Sequence, residues 1–254
     1  MKAQKFYSEG SHHWYVIYDQ DETRVIDSNV YACQVDGHTL LCDPGGFEVF
    51  PQVFASLVDV LPPSSVEQAF VSHQDPDIAS SLPLWNACNK GITWHTSRLW
   101  VGFIRHYGAL DATIQGIPDD GAELTLGSAR LQAIPAHYLH SSGNFHLYDP
   151  QAKVLFSGDV GAALLPAGHD AFVDRREVDS PKAFDEHIRH AEYFHKRWMP
   201  SNEAKRDWCE RVSRLDIDFL CPQHGAIYAG ENVQRFLHWF DALPVGTALS
   251  AMHA

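Results

Sequence analysis

The sequence is poor in cysteine and has no long apolar run. Its five cysteines are scattered and form no C-x-x-C pair: Cys33, Cys42, Cys88, Cys209 and Cys221. This spacing argues against a disulfide framework or a zinc knuckle, and it favours reduced thiols in the cytoplasm. No stretch approaches the roughly 18 apolar residues that a membrane span needs, and no apolar segment follows the charged N-terminus. We therefore expect neither a membrane anchor nor a signal peptide.

Positive charge is also scarce. The 254 residues include 19 lysines and arginines against 32 aspartates and glutamates, which gives a net charge of −13. Proteins that bind nucleic acid need clustered Lys and Arg to neutralise phosphates. The basic pairs lie among acidic residues, and we interpret them as solvated helix faces: Arg175–Arg176, Lys196–Arg197 and Lys205–Arg206. Nucleic acid is not an expected partner.

The sequence also lacks the P-loop, the G-x-G-x-x-G loop and the serine nucleophile elbow, which removes the usual signals for nucleotide binding and serine hydrolysis. What it does contain is a mixture of strand and helix patterns. Strands are predicted at Trp14–Tyr18, Thr23–Ile26, Asn29–Val35, Thr39–Cys42, Ala69–Val71, Gly91–His95, Arg130–Ile134, Phe145–Tyr148, Val154–Phe156 and Phe219–Cys221. Helices are predicted at Val49–Val60, Pro181–Arg197, Ser201–Leu215 and from Glu231 onward. This order predicts α/β layers in a single domain over residues 1–254.

Sixteen histidines stand out in this acidic chain, and several follow predicted strands. Four short apolar runs lead into polar side chains of metal-ligand type, where each strand should end. The four groups are His73, Asp75 and Asp77; His137, Tyr138 and His140; Asp159; and His224. In layered α/β folds ligands collect beyond the carboxyl ends of strands, so the four loops can converge on one site.

The first of these loops has the most informative spacing. Residues at i, i+2 and i+4 of an extended chain point to one side, so His73, Asp75 and Asp77 can aim together. Pro76 restricts the residue before it and is expected to keep the loop non-helical. Taken alone, the loop could equally be a chance polar turn. Together with Ser-Gly-Asp and Gln-His-Gly at other strand ends, chance becomes a poor explanation.

These motifs resemble the metallo-β-lactamase superfamily, whose signature is H-x-H-x-D-H followed by His, Asp and His in separate loops. The resemblance covers nearly the whole chain from Trp14 to the final helix, and it is closest to flavodiiron proteins and the shorter oxygen-binding di-iron proteins. Supporting segments are Val25–Asn29, Leu41–Gly46, His140–Phe145, Leu155–Gly161 and Pro222–Gly225. The resemblance implies a four-layer αββα sandwich. Flavodiiron proteins use H-x-E-x-D-H in the first loop, whereas this chain has the shorter carboxylate Asp75 and ends the motif with Ile78.

The resemblance also implies a role for each ligand. His73, Asp75 and His140 would bind one metal, Asp77 and His224 would bind the other, and Asp159 would bridge the two. The metal-centred chemistry would then depend most on Asp159 and Asp77. Three carboxylates, three imidazoles and no thiolate suit iron or manganese at least as well as zinc.

Three neighbouring residues are candidates for a supporting role. Isoleucine cannot coordinate, so Ile78 leaves the second metal with an open position, although a water could complete its shell. His137 and Tyr138 lie close to His140 in sequence and could orient a ligand or donate a proton, although packing roles are the simpler reading.

The leading functional hypothesis is a non-haem di-iron protein that binds or reduces O2 or NO. Only 29 residues follow Gly225, far fewer than the ~100–150 of a typical domain, so a flavodoxin domain and bound FMN are not expected. A separate electron donor would feed the site, or the site would act as a sensor with a signalling partner. A homodimer is implied by the resemblance alone. The alternatives are a binuclear hydrolase of thioesters, lactones or phosphodiesters, and a silent binding protein with structural metals.

Overall fold

The computed structural model describes residues 1–18, 27–166 and 177–251. Within these residues, the first of two sheets has seven strands, which follow one another in space in chain order. They are β1 (Lys2–Glu9), β2 (His12–Tyr18), β3 (Asn29–Val35), β4 (His38–Cys42), β5 (Val66–Phe70), β6 (Thr93–Ser97) and β7 (Thr113–Ile117). Pairing is antiparallel from β1 to β4 and parallel from β4 to β7.

The second sheet also has seven strands within the described residues. They are β8 (Ala122–Leu126), β9 (Ala129–Pro135), β10 (Phe145–Asp149), β11 (Val154–Gly158), β12 (Glu177–Val178), β13 (Phe219–Pro222) and β14 (Ile227–Ala229). Their spatial order is β12-β14-β13-β11-β10-β9-β8. The central pair β11 and β13 is parallel, so both strands release their polar loops at the same edge of the sheet.

Eight α-helices are described. They are α1 (Phe50–Val58), α2 (Pro76–Ala79), α3 (Leu82–Cys88), α4 (Val101–Ile104), α5 (Pro181–Trp198), α6 (Asn202–Val212), α7 (Glu231–Ala242) and α8 (Thr247–Ala251). One apolar cluster joins α1 and α3 to the first sheet, and another joins α5, α6 and α7 to the second. A third cluster, with Trp14, Phe70 and Phe156, fills the space between the sheets. This arrangement confirms the four-layer αββα sandwich.

The long C-terminal helices begin where serine can cap them. Ser180 accepts a hydrogen bond from the backbone N–H of Ala183, and Ser201 accepts one from Ala204, which satisfies N–H groups that would otherwise lack a partner. The helices predicted to begin at Pro181, Ser201 and Glu231 start within one residue of the observed α5, α6 and α7. The predicted strand Thr23–Ile26 and the pair Arg175–Arg176 lie outside the described residues.

One surface assignment was wrong. We expected Lys205 to lie on a solvated helix face with Arg206, but Lys205 is 1% exposed. Its ammonium donates hydrogen bonds to the carbonyl oxygens of Phe240, at 2.7 Å, and of Asp241. These carbonyls close the last turn of α7, where a helix lacks internal donors, so the buried charge caps a neighbouring helix.

Among the described residues, none of the helices combines the length with the apolar composition that crossing a bilayer requires.

Candidate metal centre

The loops after β5, β9, β11 and β13 meet at one edge of the sandwich. His73 lies three residues after β5, Asp159 directly follows β11, and His224 lies two residues after β13. His140 lies in the loop between β9 and β10. A backbone hydrogen bond joins the loop after β5 to β10 here: the Phe145 N–H donates to the Ser72 carbonyl at 3.0 Å.

The loop after β5 departs from the extended form that we expected. Asp75 is extended, with φ −65° and ψ 148°, but Pro76 is the first residue of the short helix α2. Proline suits this position because the first N–H groups of a helix have no internal partner. Asp77 therefore projects from a helical turn rather than from a strand-like segment, so the alternation argument fails for it. The structure nevertheless places Asp77 beside His224.

The first group of candidate ligands consists of His73, Asp75 and His140, whose ligand atoms all lie within 4.8 Å of one another. Asp75 Oδ2 is 3.6 Å from Nε2 of His73 and 3.6 Å from Nε2 of His140. Asp159 Oδ2 adds a fourth atom, 3.5 Å from His73 Nε2 and 2.7 Å from His140 Nε2. Donors that share one ion at about 2.1 Å each are separated by about 3–3.5 Å, so this spacing fits a common cation.

The second group lies on the other side of Asp159. His224 Nε2 is 3.5 Å from Asp77 Oδ2 and 3.6 Å from Asp159 Oδ1. The two oxygens of Asp159 thus face different groups. Among the described residues, Asp159 Oδ1 is buried and has no hydrogen-bond partner. A buried carboxylate oxygen without a donor is costly, and a cation at this position would satisfy it.

The ionisation of these residues is strongly coupled. Burial opposes the charge on Asp159, but the charge of His73 and the hydrogen bond from His140 hold its pKa well below the usual value. Burial likewise opposes protonation of His73 and His224. Burial is the largest single effect at each, but the charges of Asp159, Asp75 and Asp43 together outweigh it at His73. Asp77, Asp159 and the Asp27 carbonyl together do so at His224, and each pKa rises to about 9. A metal ion would take the place of these protons.

Two of the imidazoles are oriented by partners behind them. Ser72 Oγ donates to Asp43 Oδ2 at 2.6 Å and therefore accepts from His73 Nδ1 at 2.9 Å. The Nδ1 of His224 donates to the Asp27 carbonyl at 2.5 Å. Each contact commits Nδ1 as a donor and leaves the Nε2 lone pair for a cation. Burial raises the pKa of Asp43 to about 7, against the opposing charge of His73 and the Ser72 hydrogen bonds.

The three candidate supporting residues lie in different surroundings. Ile78 is fully buried on α2 and belongs to the apolar cluster beneath α1 and α3. His137 donates from Nε2 to the Asp119 carbonyl at 2.8 Å, and its ring packs edge-on against Phe145. Tyr138 is 53% exposed and has a positive φ of 64°. The described contacts of His137 lead away from the ligand group, whereas the Tyr138 backbone N–H donates to the Ser141 carbonyl, next to His140, at 2.8 Å.

Sequence reasoning missed several residues that touch the ligands. Gln74 and Gln223 donate side-chain hydrogen bonds to Asp75 and Asp77. The ring of Phe194, on α5, lies 6.3 Å from the ring of His140 and 6.5 Å from that of His224. The two glutamines stand beside ligands in sequence, which was the available signal. Phe194 carried no local signal, because its contacts arise only when α5 packs on the loops.

Two buried histidines of α5, His187 and His195, make hydrogen bonds within the fold. His187 lies 3.0 Å from the Tyr228 hydroxyl and accepts the Ala226 N–H, and His195 accepts the Gly161 N–H. Within the part of the chain that the structure describes, the helix α5 histidines belong to no group of three close metal ligands.

A second buried group, His12, Cys33 and Asp149, has the composition of a metal site. Its geometry is that of an ion pair instead, because His12 Nε2 lies 2.7 Å from Asp149 Oδ2. Asp149 also accepts hydrogen bonds from the Trp14 indole and from the backbone of Ala152. We interpret this group as a structural tie between β2 and β10.

The donor set around Asp159 fits a pair of hard or borderline metal ions. It offers three imidazole nitrogens and three carboxylates, it contains no thiolate, and Asp159 presents one oxygen to each side. The αββα sandwich and a ligand cluster at its strand ends define a protein of the metallo-β-lactamase type. More narrowly, the family model described as "ODP family beta lactamase" matches residues 26–225, and the chain belongs to this family.

Similar proteins extend this comparison. A structure described as the peroxy diiron species of the chemotaxis sensor ODP is 32% identical, has a TM-score of 0.85 and matches 100% of both chains. The nitric oxide reductase of Moorella thermoacetica is 25% identical over 82% of this chain and 52% of its own length. The rubredoxin-oxygen oxidoreductase of Megalodesulfovibrio gigas is 23% identical over 85% of this chain and 54% of its own. The chain thus spans about half the length of these two relatives.

Proposed function

We propose that this chain is a non-haem di-iron protein that binds dioxygen or nitric oxide, as a sensor or as a reductase supplied by a separate electron donor. The carboxylate Asp159, which turns one oxygen toward His73 and His140 and the other toward His224, is the observation that carries the proposal. Support comes from the family, whose sensor structure contains two irons, and from two relatives named for the reduction of NO and O2.

The residues around Asp159 would form two sets of ligands, one for each ion. His73, Asp75 and His140 would hold one iron, Asp77 and His224 the other, with Asp159 between them. Two irons supply electrons to a diatomic ligand when they are bound. The chain itself orients the imidazoles through Ser72 and the Asp27 carbonyl. Because Ile78 has no donor atom, the Asp77 side retains a position that a small molecule can occupy.

The decisive experiment joins metal content to reactivity. Metal-free protein is loaded anaerobically with Fe(II), the iron per chain is measured, and the protein is then mixed with air-saturated or NO-containing buffer in a stopped-flow spectrophotometer. We expect two irons per chain and a rapid absorbance change. Gln52→Ala, an exposed change on α1, serves as the matched control that should behave like the wild type.

The hydrolase alternative makes the opposite prediction. A stable content of two zinc ions, no iron uptake, no spectral change with O2 or NO, and metal-dependent cleavage of a thioester, lactone or phosphodiester would establish it. Ile78→His supplies a further comparison, because an added imidazole should tighten the second metal and change the rate of the oxygen reaction. Loss of hydrolysis in that variant, without any oxygen reaction in the wild type, would contradict the di-iron proposal.

We also propose one domain over residues 1–254, a homodimer and a cytoplasmic location. The apolar cluster between the two sheets supports the single domain, and the five free cysteines support the cytoplasmic location. The dimer rests on family resemblance, and the molar mass in solution tests it.

A further inference from the structure

Gln74 stands between the ligands His73 and Asp75, and three hydrogen bonds fix it. Its backbone carbonyl accepts from the Tyr107 hydroxyl at 2.6 Å. Its side-chain Oε1 accepts from Ser141 Oγ at 2.7 Å, and its Nε2 donates to Asp75 Oδ1 at 2.9 Å. Ser141 directly follows the ligand His140, so one side chain connects the loops that carry three candidate ligands.

The direction of these hydrogen bonds follows from the chemistry of the partners. An ionised carboxylate can only accept, so the amide must present its N–H groups to Asp75. The carbonyl end of the amide then faces Ser141, whose hydroxyl can donate. A flipped amide would set two oxygens against each other at Asp75. Asp75 therefore fixes the orientation of the Gln74 amide, and the Ser141 hydroxyl supports that orientation by donating to the amide oxygen that faces away from Asp75.

The hydrogen bond from Gln74 makes the two oxygens of Asp75 unequal. Oδ2 faces the nitrogens of His73 and His140, at 3.6 Å from each, whereas Oδ1 is turned to the amide. Asp75 is also only partly buried, so packing alone does not hold its carboxylate. The hydrogen bond from the Gln74 amide to Oδ1 restrains the carboxylate and leaves only Oδ2 facing the site.

We propose that Gln74 is a positioning residue that makes Asp75 bind its metal through Oδ2 alone and ties the Asp75 loop to the His140 loop. The proposal rests on the proposed metal centre, but not on its reaction with oxygen. Partners that orient ligands typically affect metal affinity by about 10–100-fold, although they touch no metal.

The test uses Co(II) titrations of the metal-free 254-residue polypeptide, followed by visible absorption. Gln74→Ala should weaken the ion held by His73, Asp75 and His140 by about 10–100-fold. The ion held by Asp77 and His224 should keep its affinity within about threefold, since Gln74 does not touch it. At saturating Co(II), the absorption bands of the first ion should differ from those of the wild type, because Asp75 becomes free to use both oxygens.

Gln74→Glu is the sharper variant, because it keeps the size and shape of the side chain while it removes the N–H donor. It should fail to restore the wild-type affinity or spectrum. Ser141→Ala should give a smaller loss in the same direction, and Gln52→Ala should give none. Thermal unfolding of each metal-free variant shows whether the fold is intact.

Wild-type affinity and spectrum in Gln74→Glu would overturn the proposal, as would equal weakening of both ions in Gln74→Ala, which a purely structural role would cause. A wild type that binds two Co(II) or Fe(II) ions, but does not react with O2 or NO, would contradict the proposed function and leave the role of Gln74 intact. A wild type that binds no ions would overturn both.

Discussion

At the residue scale, Asp159 should be the side chain on which both metals depend. Asp159→Asn keeps the shape but removes the charge that balances His73, His140 and His224. We expect loss or disorder of both ions, whereas Asp77→Asn should mainly weaken the ion beside His224. Iron per chain and the metal-centred absorption, measured at a series of free Fe(II) concentrations, separate the two outcomes. Equal and partial loss in both variants would argue against a bridging Asp159.

The convergence of the candidate ligands could be predicted because imidazoles and carboxylates at strand ends form a chemical pattern. His73, Asp159 and His224 lie one to three residues after short strands, so their convergence follows from the topology. The orienting partners could not be predicted in the same way. Ser72, Tyr107 and Ser141 are ordinary polar residues in sequence, and their roles depend on loops that meet only in the folded chain.

At the scale of secondary-structure elements, a buried ion pair links the two sheets. His12 on β2 and Asp149 on β10 lie 2.7 Å apart, and His12 is 3% exposed. Burial disfavours the charge on each residue. Their hydrogen bond and mutual attraction, together with hydrogen bonds from neighbours, outweigh burial, raising the pKa of His12 above its ordinary 6.5 and lowering the pKa of Asp149 below its ordinary 3.8.

The pair should therefore make stability depend on pH. The Asp149 contribution is present above about pH 4 and is lost as the pH falls through its lowered pKa. The His12 contribution is present below about pH 6.5 and is lost as the pH rises through its raised pKa. Between these limits, Asp149→Asn should cost about 3–5 kcal/mol, the usual effect of leaving one buried partner unpaired. Urea unfolding of wild type and variant from pH 3 to 9 measures the difference. If the difference in unfolding free energy between wild type and Asp149→Asn stays constant from pH 3 to 9, the ionic interpretation is contradicted.

A second element-scale prediction concerns the end of α7. Lys205→Met removes the ammonium that donates to the carbonyls of Phe240 and Asp241. Because buried acceptors then lose a charged donor, the free energy of unfolding should fall by about 1–3 kcal/mol. Lys196→Met is the matched control, since Lys196 makes a partly exposed i,i+4 pair with Glu192 that should contribute less than about 0.5 kcal/mol. Equal urea midpoints for the two variants would refute the capping role.

The elements themselves were predicted best where the apolar pattern was strong. The predicted strand Asn29–Val35 coincides with β3, and the predicted helix Pro181–Arg197 ends one residue before α5. Strand β1 was missed because it is polar and partly exposed, and its register shifts between Lys5 and Tyr7. Lys205 was misread because its burial depends on α7 packing against α6, which local sequence does not encode.

At the scale of the whole molecule, the chain matches an ODP sensor structure along its full length but spans only about half of its NO-reducing and O2-reducing relatives. Most of the described residues belong to the two sheets and the helices that cover them. The proposed site, at one edge of this sandwich, consists of imidazoles and carboxylates that would hold metals and cannot themselves carry electrons from a nicotinamide. We therefore propose that any electrons that the site consumes reach it from a separate carrier.

We accordingly predict that the purified 254-residue polypeptide contains no stoichiometric flavin and oxidises NADH only when a reductase and an electron carrier are added. Acid release and fluorescence measure flavin per chain, and absorbance at 340 nm follows NADH under air. Asp159→Asn is the control, because a chain that cannot hold its metals should consume no NADH beyond the background of the added reductase. One tightly bound flavin per chain, or NADH oxidation by the polypeptide alone, would contradict an external donor. If the wild type reacts once with O2 after chemical reduction but accepts no electrons from any added carrier, the result favours the sensor over the reductase, because a sensor needs only to bind its ligand.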